Sequence, residues 1–457
     1  MRRDLGEWQT LVLPGETLAT SADRALAETL AQQQRAVVEE LRDGVRVRAL
    51  SWIGVIRFTR FEVRIHPKLA GGDAVVARLI DYVGGLDALS VLEGEPELRL
   101  EGCNLLDMVA LLFTIAVRKV VRRGLLKDYC GFEEDLPVVR GRLLGDRQIL
   151  RHFGRIERIE CRFDERTADI VENRVLAAAL DLLSRRVRSP AVARQVRQLQ
   201  AIFGSACGAA DRHEIALARN EFIYHRLNAH YEPAHSLAWL VFDGFGIEEL
   251  LAPGSDRCFA FLIDMNRVFE LFCERWVARL LRGSDWRVNP QSPCRSILWN
   301  ASSNKSWGSV RPDLLIAHRS GEGASLPVDA KYKLYDQHKL DPADFYQLFL
   351  YAYAFAPAAG TERRLPAGLI LFPASDSAGG ERHRLHVRRV ADRHSGAEVV
   401  LAAIPLARAL SELPQTDSTL AGEFRSILTA LLPTQQLRAD VPLTAVSSAS
   451  AADSVAF

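Results

Sequence analysis

The chain has 457 residues, 48% apolar and 25% charged; this is enough apolar material for a core and enough charge for a solvated surface, which excludes global disorder and a fibrous class. Its length exceeds what one hydrophobic core spans, so about two to four domains are expected. The 58 Lys and Arg against 57 Asp and Glu leave a formal net charge of +1, which argues against a nonspecific DNA-coating surface but leaves room for a local basic groove, or for a partner that supplies DNA affinity. No apolar run reaches the roughly 18–20 residues of a membrane span. The opening MRRDLGEWQTLVLPGE lacks the apolar core of a signal peptide, so a cytoplasmic protein without membrane association is expected. Cys103, Cys130, Cys161, Cys207, Cys258, Cys273 and Cys294 show no CxxC spacing, which predicts reduced thiols and no structural zinc.

In chain order, residues 21–43 read as an amphipathic helix capped by Ser21 or Asp23 and ended by Gly44. Val45–Leu50, Trp52–Thr59 and Phe61–Ile65 mix β-branched, aromatic and alternating Arg residues and predict strands, with Pro67 closing the run. Residues 1–100 are therefore expected to form a strand-containing N-terminal domain. Helical spacing over Asn104–Arg123 and again from Thr167 to about Ile202 predicts a mainly helical middle domain over 101–255. From 256 to 434 the pattern alternates: helix Phe261–Arg282, strands near Ile297–Trp299, Asp313–Ala317 and Leu326–Ala330, helix Pro342–Phe355, and strand Gly368–Phe372. This predicts an α/β domain, and the chain as a whole reads as a multidomain α+β fold. Residues 435–457, small and polar, predict a disordered tail.

The chemistry concentrates in RPDLLIAHRSGEGASLPVDAKYKLYD. Asp313 heads one apolar strand and Asp329 ends the next; the short glycine-rich connector between them makes the strands antiparallel neighbours. Asp329 and Lys331 stand at i and i+2, so in a strand they project from one face. Two converging carboxylates suit a hard divalent ion, Mg²⁺ or Mn²⁺, which prefers carboxylate, water and phosphate oxygens. A neighbouring lysine either activates the attacking water or offsets charge on the phosphate. The same letters also fit an ordinary surface hairpin with a salt bridge, so the surroundings decide.

This pattern resembles the PD-(D/E)xK nucleases, with Pro312-Asp313 and Asp329-Ala330-Lys331 as its two elements. That resemblance implies supporting roles for Gln347 and Tyr351, at i and i+4 of the helix opened by Asp341-Pro342, and for Glu270 as a third metal or water ligand from an upstream helix. A closer likeness rests on IGVIRFTRFEVRIHPKL (53–69), RGRLLGDRQI (140–149), CRFDERTADIVENRVLAAAL (161–180), NRVFELF (266–272), VDAKYK and DFYQLFLYAYAF, which follow in order over most of 45–375. These segments resemble the McrC family. The resemblance implies a nuclease subunit for double-stranded DNA in a modification-dependent restriction system. It also implies an AAA+ GTPase partner that recognises the modified base, docks on the N-terminal region and is stimulated by it. No GxxxxGK[ST] is present, so the GTPase is expected on another chain. The competing reading is a non-catalytic adaptor that activates the partner. Arginines and lysines in 117–127 and 140–162 offer phosphate contacts or solvated faces. Neither the spacing of His225, His230 and His235 nor that of His383 and His386 suits a metal site.

Overall fold

The computed structural model describes residues 1–85, 104–153, 155–208, 212–246, 258–291, 293–320, 325–335, 339–356, 365–374, 379–388, 390, 394–413, 415 and 418–432. The expected disordered tail lies outside them, as does Cys103. Among the described residues the chain is a mixed α/β structure with five sheets, no helix is long and apolar enough to cross a membrane, and six cysteines are free thiols.

The N-terminal strands are β1 (Arg2–Gly6), β2 (Thr10–Pro14), β3 (Ala36–Leu41), β4 (Gly44–Ala49), β5 (Trp52–Arg57) and β6 (Glu62–His66). The helix expected over 21–43 spans only Ser21–Gln32. Gln34 adopts a left-handed φ of 54°, and Ala36–Leu41 then pairs antiparallel with β4, so ladder hydrogen bonds outweigh a further turn of helix. The cap is Thr20 rather than Ser21 or Asp23. Its hydroxyl accepts from the Asp23 N–H while Asp23 accepts from the Thr20 N–H, a capping box.

Between the N-terminal and C-terminal sheets lie helices Leu105–Arg123, Val171–Ser184, Pro190–Ala206, Arg212–Glu221 and Glu232–Phe245. The single run expected over 167–202 is broken at Arg185–Ser189, with Pro190 in the first turn of the second helix. The middle segment also holds a three-stranded sheet: β7 (Asp128–Leu136), β8 (Arg142–Leu143) and β9 (Ile159–Thr167). Its alternating charges mask strand periodicity in the sequence but pair across the structure. Arg140 meets Glu165 at 3.0 Å, Arg147 meets Glu133 at 2.6 Å, Arg151 meets Glu160 at 3.0 Å and Arg158 meets Asp135 at 3.2 Å. Arg162 also contacts Glu133.

The VENR segment has a structural explanation. Asn173 is fully buried; its amide donates to the carbonyls of Leu126 (3.0 Å) and Ala168 (2.7 Å), and its Oδ1 accepts from Tyr231 (2.7 Å). Asn173→Ala strands the Leu126 carbonyl and leaves the buried Tyr231 O–H without an acceptor, while the Ala168 carbonyl keeps the Ile170 N–H, so chemical denaturation should show a loss of about 2–4 kcal/mol.

The helix expected over Phe261–Arg282 begins at Met265; Phe259–Asp264 is instead strand β10, which completes the N-terminal sheet in the order β1-β6-β5-β10. The run Phe-Ala-Phe-Leu-Ile is buried on both faces, a pattern that periodicity alone cannot separate from a buried helix. Gly54 makes this pairing possible: its φ is +139°, and a Cβ there would lie 2.1 Å from the Phe261 carbonyl oxygen. The chain then enters the helix Met265–Leu280 that carries Glu270.

Beyond it lie β11 (Trp286–Pro290), β12 (Cys294–Asn300), β13 (Lys305–Val310), β14 (Leu314–His318), β15 (Leu326–Ala330), β16 (Ala367–Pro373), β17 (Gly380–Arg388) and β18 (Ser395–Ile404). Six of these form a sheet in the order β11-β14-β15-β16-β18-β17. β14 and β15 pair antiparallel, as the short connector requires, whereas β15–β16 and β16–β18 are parallel. The helix Pro342–Ala354 crosses from β15 to β16. Alternate residues of β16 enter two cores. Leu369 and Leu371 join the large core containing Phe269 of the Glu270 helix, while Ile370 and Phe372 pack with Leu348 and Tyr351 of the Gln347 helix. The two helices thus cover opposite faces of the sheet.

Candidate active site

Asp313 immediately precedes β14, and its Oδ2 accepts the Ala330 N–H at 2.8 Å across the strand pair. This bond holds it beside Asp329, the fourth residue of β15. Asp329 is 0% exposed, and no backbone N–H reaches its carboxylate. Lys331 Nζ lies 2.9 Å from Asp329 Oδ2 as an ion pair. In register with Ile370, Asp329 takes the Gln347-helix side of the sheet, and the i, i+2 spacing brings Lys331 to the same side.

The electrostatics follow from the burial. Burial raises the Asp329 pKa, the adjoining Asp313 charge raises it further, and Lys331 only partly opposes them. Burial also raises Asp313 against the Ala330 hydrogen bond. Two carboxylates this close and this dry favour sharing a proton when no cation is present. Burial works against the Lys331 ammonium, but Asp329, Asp313 and Asp344 outweigh it and hold its pKa above the ordinary lysine value.

Glu270 stands on the helix covering the other face of the sheet, within electrostatic reach of Asp313 and Lys331. Burial raises its pKa, although its Oε2 is engaged by Arg267 at 3.2 Å. Among the described residues no three His, Cys, Asp or Glu side chains converge on a common metal position; Asp313 and Asp329 adjoin, and Glu270 is turned toward Arg267. Gln347 Nε2 donates to the Tyr351 hydroxyl at 3.1 Å, and that hydroxyl donates to the Arg311 carbonyl at 3.4 Å. These two residues therefore brace the backbone entering Asp313; no contact from them to Asp329 or Lys331 is seen.

Two further groups escaped the sequence reading. Asp344, in the first turn of the Gln347 helix, lies 3.8 Å from Lys331 Nζ and 2.6 Å from Lys333 Nζ, and accepts the Tyr335 hydroxyl. Acids in first turns ordinarily serve the helix dipole, so only the fold reveals this one as a site residue. The second group is remote in sequence. Tyr332, next to Lys331, donates its hydroxyl to Glu7 Oε2 at 3.0 Å, and its carbonyl accepts Lys68 Nζ at 2.7 Å. Glu7 Oε2 also accepts the Lys68 N–H at 2.8 Å. The N-terminal unit is thus bolted to the strand exit that presents Lys331. Burial pushes the Glu7 pKa up to about 7 from 4.5. A raised acid stabilises the fold fully below its unfolded pKa and loses that contribution as pH rises through the folded value. Thermal melts of Glu7→Gln should therefore lack about 2 kcal/mol of the stability decline between pH 4.5 and 7 shown by the unmodified protein.

A family model described as McrBC 5-methylcytosine restriction system component matches residues 47–373. The chain belongs to this family. Among solved structures, one described as a refined half-complex from the tetradecameric assembly of Thermococcus gammatolerans McrB AAA+ hexamers with bound McrC is similar to it at 18% identity. That match has a TM-score of 0.57 and covers 94% of this chain and 100% of the other. A cryo-EM structure of the Thermococcus gammatolerans McrBC complex matches at 19% identity with a TM-score of 0.41, covering 62% of this chain and 88% of the other. No curated protein matches. The match of 94% of this chain extends the McrBC likeness into residues 1–44 and beyond 375, where no motif resembled a known family.

Proposed function

We propose that this McrBC-family chain is the DNA-cleaving subunit of a modification-dependent, 5-methylcytosine-type restriction complex: a Mg²⁺- or Mn²⁺-dependent endonuclease with a PD-(D/E)xK centre, acting with an AAA+ GTPase. The observation that carries the reading is Asp329: a fully buried carboxylate whose Oδ2 meets Lys331 Nζ at 2.9 Å, with a second buried carboxylate, Asp313, beside it. One ammonium does not compensate two carboxylates buried side by side, and a divalent cation would supply the missing positive charge. Asp329 and Asp313 would hold the ion, with Glu270 reaching it on release from Arg267. Bound by these carboxylates, such an ion would supply Lewis-acid stabilisation of the charge on the phosphate and assist water activation. Lys331, kept protonated by its acidic neighbours, offsets charge on the phosphate in the transition state. Gln347 and Tyr351 steady the Asp313 backbone.

The partner assignment draws support from the similar assembly of McrB AAA+ hexamers with bound McrC. Purified chain plus its AAA+ GTPase, given GTP and Mg²⁺, should cut a duplex carrying 5-methylcytosine, and Asp313→Ala should not. Stimulated GTP hydrolysis without nicking under any divalent metal would instead make the chain a non-catalytic adaptor.

A further inference from the structure

Between Trp286 and Pro312 the chain carries Arg287, Arg295, Lys305 and Arg311 and no Asp or Glu, although acids and bases balance over the whole sequence. Within this acid-free stretch, β12 and β13 pair into a two-stranded hairpin separate from the six-stranded sheet. Its base is anchored at the candidate site. Pro290 pairs with Leu314, the Gln291 N–H donates to the Asp313 carbonyl at 2.9 Å, and the Arg311 carbonyl accepts from Tyr351. Its tip is a preformed polar turn in which Asn300 Oδ1 accepts the N–H groups of Ser302 and Ser303.

The hairpin also exposes two large aromatics, Trp299 at 55% and Trp307 at 74%. Leu298 pairs with Gly308 and Trp299 with Ser306, so Trp307 is the extra residue of a bulge, a device that re-aims a side chain out of the ladder. Arg287, Lys305 and Arg311 are exposed and form no ion pair with any described residue, in contrast to the paired arginines on β7–β9. Unpaired cations, small polar groups and exposed tryptophans on the hairpin and at its base match a polyanion that also offers stacking faces.

We propose that the hairpin Cys294–Val310 is a duplex-DNA contact element that grips phosphates through Lys305, helped by Arg311 at its base and Arg287 on the adjoining β11, inserts or stacks Trp307 and Trp299 against bases, and so seats the backbone at Asp313 and Asp329. DNA binding by the arm stands on its own chemistry; only its place beside the cut rests on the nuclease reading.

The test uses full-length chain carrying Asp329→Ala, so that binding is read without cleavage, alone and assembled with its AAA+ partner. Anisotropy of a labelled duplex should show Trp307→Ala weakening binding about tenfold. Lys305→Ala should lower the slope of log affinity against log salt by about one, while Arg162→Ala changes neither. Melting temperatures of the variants should match the parent, because the altered side chains are exposed. Unchanged duplex binding in the hairpin variants, or no duplex binding by either preparation, overturns the proposal. So does intact duplex binding with loss of assembly, which would make the arm a protein-docking face. Hairpin-dependent binding by a wild-type chain that never nicks DNA would instead sink the nuclease reading and leave the arm's role standing.

Discussion

Asp329→Asn is expected to abolish DNA cleavage, by at least about a thousandfold, while raising the thermal stability of the metal-free protein. Both effects come from one fact. The carboxylate is fully buried, so the metal-free fold bears its desolvation cost, and Lys331 returns only part of it. Asparagine removes the charge at nearly equal volume, and Lys331 keeps Asp344 at 3.8 Å. The net gain should be about 1 kcal/mol. Because burial and Asp313 raise the Asp329 pKa, its ionisation costs stability as pH rises through the folded value. The gain should therefore be largest near about pH 8 and fade toward about pH 5. Calorimetric melts in EDTA and in Mg²⁺ would measure it, and the stabilisation that Mg²⁺ gives the unmodified chain should be absent from the variant.

Lys331→Ala should lose cleavage by about a hundred- to a thousandfold while keeping metal binding. Removing the ammonium leaves Asp313 and Asp329 in place, and a bound cation takes over the compensation that Lys331 gives Asp329 in its absence. The loss therefore belongs to the chemical step: single-turnover rates should fall while the Mg²⁺ concentration for half-maximal activity stays within about threefold. Lys331→Arg should recover little, because a planar fork does not replace a compact ammonium in a crowded pocket. A Lys331→Ala enzyme with full single-turnover rate would remove this residue from the reaction.

The parts of the site legible in the sequence are the local ones. Asp329 and Lys331 share a face because strand periodicity is two, and the short connector made β14 and β15 antiparallel. Asp341 caps the Gln347 helix as its Asp-Pro signature predicts. What escaped depends on distance or on ambiguity of period. The Glu7–Lys68–Tyr332 cluster joins residues hundreds of positions apart, which no local pattern encodes. Phe259–Asp264 is apolar on both faces, so its partner β5, not its periodicity, makes it a strand. The arginine-rich stretch over 140–162 suggested phosphate contacts, yet cross-strand acids answer most of its charges. Of the acid-free hairpin over 294–310 only the strand near Ile297–Trp299 is legible in the sequence, because the pairing is irregular and the charges are sparse.

Isothermal titration of Mn²⁺ into the full-length chain, beside Asp329→Ala and Asp313→Ala, tests the metal centre most directly. Saturable binding by the unmodified chain, lost in Asp329→Ala, weakened in Asp313→Ala and accompanied by proton release near neutral pH, is the predicted result. Equal Mn²⁺ binding by all three proteins, or by none, would contradict a metal-dependent nuclease centre at these residues.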